Sequence, residues 1–187
     1  MATMKRGANA SLTREIPDLT GVVLGVRVDA GSETVLIDNL VVAAILCDAG
    51  KKALSDDHFV FFNQLATPDL SVHQLEQALG PDLDQIEIDL GGVPEPVARI
   101  VVVLYVNEGS GRNRTLGRLR RCEIRVLNLS GGLELVRSEN LAEGLGVETG
   151  LALGEVYRYQ KEWKFRVLGD GYADGIMGLA RDYGVGL

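Results

Sequence analysis

The sequence predicts an all-β protein, a sandwich of two antiparallel sheets with short peripheral helices. Hydrophobic residues make up 46% of the chain and charged residues 24%, which is typical of a folded globular protein. Glycine is abundant, with 23 residues, whereas aromatic side chains contribute only 5%. Short runs of Val, Ile and Leu alternate with clusters of Gly, Asp and Asn. Many short strands joined by such turns favour packed antiparallel sheets.

Nine segments have the pattern of β-strands. Two of them, LVVAAILC at 40–47 and IVVVLYV at 100–106, are apolar throughout, which predicts central strands that are buried on both faces. QIEIDL at 85–90 alternates instead, so its isoleucines share one face and its polar residues form a solvated one. The nine predicted strands are 21–28, 40–47, 58–65, 85–90, 98–106, 121–129, 133–138, 155–160 and 163–169.

Two segments predict helices. In SVHQLEQALG at 71–80, Ser71 is a candidate N-cap, Gln74 completes a capping box, and Gly80 followed by Pro81 is a stop signal. In DGIMGLARDYG at 174–184, apolar residues recur at helical spacing. We therefore expect a short C-terminal helix that docks on the sandwich.

Length and charge restrict the class of protein. The 187 residues fit a single domain, 1–187. A net charge of −7 and a pI near 4.9 argue against general nucleic-acid binding and favour cations or a basic protein partner. The apolar runs are shorter than the roughly 18 residues of a membrane span, and no secretory signal opens the chain. We expect a cytoplasmic protein in which Cys47 and Cys122 are buried and reduced.

Enzyme signatures are weak, and one alternative involves anions. The segment RNRTLGRLRR carries five arginines within Arg112–Arg121, and the glycine turn Gly169–Gly175 leads from a strand into a helix, as phosphate-binding loops do. Its spacing misses the dinucleotide fingerprint, and no aromatic residue interleaves the arginines to stack bases. The cysteines and histidines show no zinc spacing, and no nucleophile lies in a known catalytic motif. A non-enzymatic protein is favoured, and a phosphate or nucleotide binder that uses these two segments is the alternative.

The turn after the predicted helix 71–80 carries two carboxylates, Asp82 and Asp84, which are candidate metal ligands. Calcium takes six to eight oxygen ligands, usually several of them carboxylates in one flexible loop. Two carboxylates one residue apart, with Ile86 at the next EF-hand position, indicate at most a weak site.

Five segments in order along the chain carry a resemblance to a known family: KRGANASL, FVFFNQLATPD, VH…DQIEIDLGGVP, ETGLALGEVYRYQKEWKF and GDGYADGIMGLARDYGV. Together they resemble the TerD family of tellurium-resistance and stress-response proteins. The resemblance implies a cytoplasmic antiparallel β-sandwich without a defined enzymatic reaction, whose better-known members bind calcium. It spans nearly the whole chain, and the last two segments are its most specific part.

The chain departs from this family where the family binds its ion. The resemblance places Glu76, Asp82 and Asp84 at three acidic positions of the family's calcium loop, of the form VH-x-GDNLTG…GDGDDE. Leu83 replaces another Asp, and the loop is three residues shorter. The second acidic motif, DLDAS, appears at 39–43 as NLVVA, without either Asp. We therefore expect a stress-response binding or scaffold module in which calcium binding through Glu76, Asp82 and Asp84 is weak or absent.

Overall fold

The computed structural model consists of two six-stranded β-sheets with few helices, which confirms the predicted fold class. It describes residues 3–107 and 114–187. The strands are β1 (Thr3–Met4), β2 (Asn9–Ser11), β3 (Gly21–Asp29), β4 (Leu40–Cys47), β5 (Phe59–Val60), β6 (Val72–Gln74), β7 (Asp84–Asp89), β8 (Arg99–Val106), β9 (Arg121–Asn128), β10 (Glu134–Ser138), β11 (Gly150–Tyr159) and β12 (Glu162–Tyr172). The helices are α1 (Thr34–Asp38) and α2 (Ile176–Tyr183), and single 3-10 turns lie at Asp56–His58, Leu90–Gly92 and Leu116–Arg118.

The strand order defines two layers. Sheet A has the order β1-β10-β9-β3-β7-β6, and sheet B has the order β2-β12-β11-β8-β4-β5. The edge strands β1, β2, β5 and β6 have only two or three residues each, which limits the unpaired backbone that a long edge would offer for aggregation. The β1–β10 pair is parallel, whereas the other pairs between the described strands are antiparallel.

The main core lies between the two sheets. Alternate residues of each strand point inward, so Leu24 and Ile86 of sheet A meet Leu104 and Phe165 of sheet B in one cluster, and all four are fully buried. Each such side chain contributes about 1.5–3 kcal/mol when it leaves water. Cys122 lies in this core and Cys47 in the outer layer of sheet B; both are buried free thiols, as predicted.

The two apolar strands are central and buried on both faces, as predicted. One face of β4 and β8 joins the main core, and the other lies beneath α2. Leu179, Ala180 and Tyr183 of α2 are buried in this second layer, which confirms the docked C-terminal helix. The buried strand residues that share the second layer with the helix are Val41, Ala43, Ile45, Cys47, Phe59, Val101, Val103, Tyr105 and Ala152.

The prediction of a helix at 71–80 is wrong. Residues Val72–Gln74 form the edge strand β6, in which Val72 pairs with Ile88 of β7, and the segment that follows is a loop. Val72 and Gln74 are buried while His73 between them is half-exposed, which is the period of a strand. The pairing with β7 and the burial of alternate side chains outweigh the local capping signal, because propensity is only a weak prior against tertiary contacts.

The predicted strand 58–65 is largely replaced by a turn. Only Phe59–Val60 pairs with β4, and the chain then reverses through backbone hydrogen bonds between Phe61 and Gln64 at 2.9 and 3.0 Å. The Gln64 side chain closes the turn by donating to the Phe59 carbonyl at 2.7 Å. Side-chain bonding to the backbone competes with strand pairing here. In the part of the chain that the structure describes, no helix has the length and apolar character to cross a membrane.

Candidate functional site

Asp82 lies in the loop 75–83, which connects β6 to β7, and its carboxylate is held by protein donors. Arg125 of β9 donates from Nη2 to Oδ2 at 2.8 Å and from Nε to Oδ1 at 3.1 Å. Gln85 donates from Nε2 to Oδ2 at 2.7 Å. The Asp82 side chain is 0% exposed. It reaches this position across Gly25 of β3, where a Cβ atom would collide with the carboxylate.

Asp84, the first residue of β7, faces a different environment. It lines a cleft of about 340 Å³ at one end of the sandwich. Burial raises the pKa of Asp84, while hydrogen bonds from the Gln74 side chain and the Gln85 backbone act in the opposite direction. Gln74 is only 6% exposed, and its Oε1 has no hydrogen-bond partner among residues 3–107 and 114–187. The lining of this end cleft is Asp38, Asn39, Leu40, Val41, Phe62, Gln74, Asp84 and Asn107.

Glu76 lies apart from both Asp82 and the end cleft. It is exposed and lines a groove of about 490 Å³ together with Leu65, Leu70 and Leu75. The three predicted metal ligands are therefore not brought together by the fold. Within the described ranges, no group of three or more His, Cys, Asp or Glu side chains has an arrangement that could hold a metal ion.

The calcium site that the family resemblance implies does not fit these residues. Calcium needs six to eight oxygen ligands, but both oxygens of Asp82 already accept hydrogen bonds from Arg125. In the end cleft, Asp38 and Asp84 are the two carboxylates, and amide side chains supply the other polar oxygens. Two carboxylates are few for calcium, because affinity rises with the number of charged ligands.

The segments considered for anion binding are mostly engaged with their own chain. Arg112 lies outside the described residues, Arg118 pairs with Glu33 at 3.0 Å, and Arg121 pairs with Glu123. At the glycine turn, Gly175 packs directly against the backbone of Gly150. Asp174, two residues before α2 begins, pairs with Arg181 at 3.0 Å. The same carboxylate lies against Gly178 in the first turn of α2, where its negative charge disfavours an anion.

Two shallow apolar grooves meet at the edge of sheet A. The groove that contains Glu76 shares Leu75 with a second groove of about 420 Å³, which lies against the outer face of β3, β7 and β9. Six leucines line them, and we call these the leucine band: Leu65, Leu70, Leu75, Leu79, Leu127 and Leu129. Exposed apolar patches rimmed by polar residues mark interaction surfaces.

The leucine band has an acidic border. Glu76 lines the first groove and Glu87 the second, and Glu87 Oε2 lies 3.1 Å from His73 Nε2. Arg125 also lines the second groove, but its guanidinium is occupied by Asp82 and by Glu134 at 3.3 Å. The exposed Glu76 therefore places a negative charge beside the leucines, in agreement with the net charge of the chain.

Sequence reasoning missed both the leucine band and Arg125. Leu75 and Leu79 lie in the segment 71–80, for which the sequence predicts a helix rather than the loop that exposes Leu79. Arg125 carried a usable signal, because the alternation of β9 places it on the outer face opposite Gly25. A glycine opposite an arginine in a strand indicates that another group approaches closely.

Comparison with known proteins agrees with the fold. A family model described as the TerD domain matches residues 1–183. The chain is 32% identical to the tellurium resistance protein TerD of Serratia marcescens, over 98% of the chain and 97% of that protein. It is 31% identical to general stress protein 16U of Bacillus subtilis, again over 98% and 97% of the two chains.

A solved structure has the same architecture. The crystal structure of a TerD homologue from Streptomyces coelicolor superimposes with a TM-score of 0.65 at 17% identity, and the match covers 87% of this chain and 95% of that one. The fold, the family model and relatives at about a third identity along nearly their whole length agree, and the chain belongs to the TerD family.

Proposed function

We propose that this TerD-family protein is a non-enzymatic stress-response module of one domain, residues 1–187, that acts in the cytoplasm by binding a protein partner. The observation that carries the proposal is the leucine band. Leu70 and Leu79 are 70% and 71% exposed. Leucines this exposed contribute little to the stability of the isolated chain, so stability does not explain why they are there. The names of the relatives support a role in tolerance to tellurite or related stress.

The chemistry of the leucine band specifies the kind of partner. Its apolar floor favours a segment that presents aliphatic or aromatic side chains, and the acidic border of Glu76 and Glu87 favours lysine or arginine beside them. Calcium binding, in this proposal, is weak or lost, and residual affinity rests on the end cleft with Asp84. The leucine band lies outside that cleft, so its binding does not need the ion.

Paired variants test the leucine band in cells that lack their own copy of the gene and are challenged with tellurite. We expect the wild type to restore growth, whereas Leu70→Gly and Leu79→Ser should each reduce the number of surviving cells at least tenfold. If survival is proportional to the amount of bound partner, this corresponds to a loss of about 1.4 kcal/mol or more of binding free energy. Val147→Ser is the matched control, because Val147 is 72% exposed and lies outside the leucine band. Lys51→Gly controls for a glycine in the left-handed conformation, since Lys51 has φ 65°.

Crosslinked partners recovered from the same cells provide the second readout. The protein species captured by the wild type and by both controls should be lost with both leucine-band variants. Full protection by Leu70→Gly and Leu79→Ser, at equal protein levels, would show that the leucine band is not the functional surface.

A further inference from the structure

We propose that the guanidinium of Arg125 acts as a built-in cation for the loop 75–83, so that the loop and its leucines keep their position without a metal ion. The inference deepens the proposed function, because it concerns the regulation of the leucine band, and it rests on the proposed loss of calcium binding. It follows from a disagreement: the resemblance implies an ion at Asp82, and the structure has an arginine there.

The contact between Arg125 and Asp82 has the geometry of a fork. Two different nitrogens of Arg125 reach the two different oxygens of Asp82, at 2.8 and 3.1 Å. The side chains are 16% and 0% exposed. A fully buried carboxylate is tolerated only when it is paired and hydrogen-bonded, and an arginine fork meets both conditions. The same fork leaves no free oxygen pair for a divalent cation, which the fixed positive charge of Arg125 would also repel.

Gln85 connects this ion pair to the leucine band. Its Nε2 donates both to Asp82 Oδ2 at 2.7 Å and to the Leu79 carbonyl at 3.0 Å, and its Oε1 accepts from the Leu79 amide at 3.2 Å. The loop is fastened at its other end by the Leu83 amide, which donates to the Val26 carbonyl at 2.7 Å. The path Arg125, Asp82, Gln85, Leu79 therefore determines where the exposed leucine of the loop lies. Arg125 is a positioning residue for the leucine band.

The cation is itself fixed to the outer face of sheet A. Glu134 of β10 accepts from Arg125 at 3.3 Å and from Arg137 at 2.8 Å, and Arg137 lies 3.6 Å from Glu123. The side chains of Glu134 and Glu123 are 19% and 6% exposed. Arg125, Glu134, Arg137 and Glu123 thus form a row of alternating charges on the sheet. Because Glu134 binds Arg125, as Asp82 does, the position of the guanidinium is fixed relative to sheet A.

A double-mutant cycle with thermal unfolding tests the inference. Arg125→Met leaves Asp82 buried without a counter-charge, and we expect Tm to fall by about 6–20 °C. Adding Asp82→Asn to that variant removes the uncompensated charge, so Tm should recover by at least half of the loss. Arg137→Met is the matched control from the same row, with an expected loss below about 4 °C that Asp82→Asn does not restore.

Calcium provides the second arm of the experiment. The Tm of the wild type is measured once with EDTA and once with about 1 mM CaCl₂, a concentration well above the range of calcium sensors. We expect the two Tm values to agree within about 1 °C. If Arg125→Met is too unstable to purify, Arg125→Lys replaces it, because lysine keeps the charge without the fork. The fall in Tm for Arg125→Lys should be less than half of the fall expected for Arg125→Met.

Three results would overturn the inference: equal losses for Arg125→Met and Arg137→Met, no recovery with Asp82→Asn, or a wild-type Tm that rises by several degrees with calcium. None of these results depends on a partner. A failure here is therefore distinguishable from a failure of the leucine band as a binding surface.

Discussion

Leu70 adopts a left-handed backbone conformation with φ 63°, although its side chain is 70% exposed. A residue with a Cβ atom loses about 1–2 kcal/mol in this conformation, and Gly or Asn is the usual choice. Neither the turn, which closes through the Leu70 amide and the Thr67 carbonyl at 3.0 Å, nor burial explains a leucine there. Backbone strain that the fold does not need supports a role in binding.

A comparison of two truncations measures this strain. Leu70→Gly and Leu70→Ala both remove the exposed side chain, but only glycine relieves the left-handed conformation. After the greater flexibility of glycine in the unfolded chain is subtracted, we expect Leu70→Gly to be more stable than Leu70→Ala by about 0.5–1 kcal/mol. Urea denaturation of the two variants provides the value. Equal stability, or a more stable Ala variant, would mean that Leu70 is not strained.

Single residues also show where sequence reasoning ends. The turn that carries Asp82 was correctly located from Gly80 and Pro81, but the partner of Asp82 was not, because Arg125 lies 43 positions further along the chain. Only the antiparallel pairing of β3 with both β7 and β9 brings the two together. The chemistry of a carboxylate is readable from sequence, whereas the donor that satisfies it is a property of the assembled sheet.

The secondary-structure elements that were predicted best are those whose burial requires a clear hydrophobic pattern in the sequence. β4 and β8 were predicted within one residue, since an apolar run covered on both faces has few alternatives. The error at 71–80 arose where a three-residue edge strand resembles a capped helix in local sequence. β1, β2 and α1 were missed because they have two, three and five residues, too short to show a period.

The docking of α2 on sheet B provides a quantitative test at this scale. Leu179 is fully buried against the outer layer of β4 and β8, and Leu179→Ala should lower the free energy of unfolding by about 2–5 kcal/mol. Met177 lies on the same helix but is 61% exposed, so Met177→Ala should change it by less than about 0.5 kcal/mol. Denaturant titration separates the two. A Leu179→Ala variant as stable as Met177→Ala would contradict the docked arrangement.

At the scale of the whole molecule, the sandwich separates three surfaces. The end cleft holds Asp84 and Gln74, the outer face of sheet A holds Asp82 with Arg125, and the leucine band lies between the edge strand β6 and that face. The fold class and the family could be predicted from the sequence, because they depend on patterns repeated along the chain. The separation of the acidic residues could not, because it depends on how the loop 75–83, which carries Glu76 and Asp82, folds between β6 and β7.

Calorimetric titration of calcium into the metal-free protein tests the central claim, that Arg125 has taken the place of the ion. The account predicts a dissociation constant of about 10⁻³ M or weaker, and the same heat for the wild type and for Asp82→Ala, because Asp82 is not free to bind. A dissociation constant of about 10⁻⁶ M that Asp82→Ala abolishes would contradict it, since such affinity is reached by calcium sensors with a complete shell of oxygen ligands.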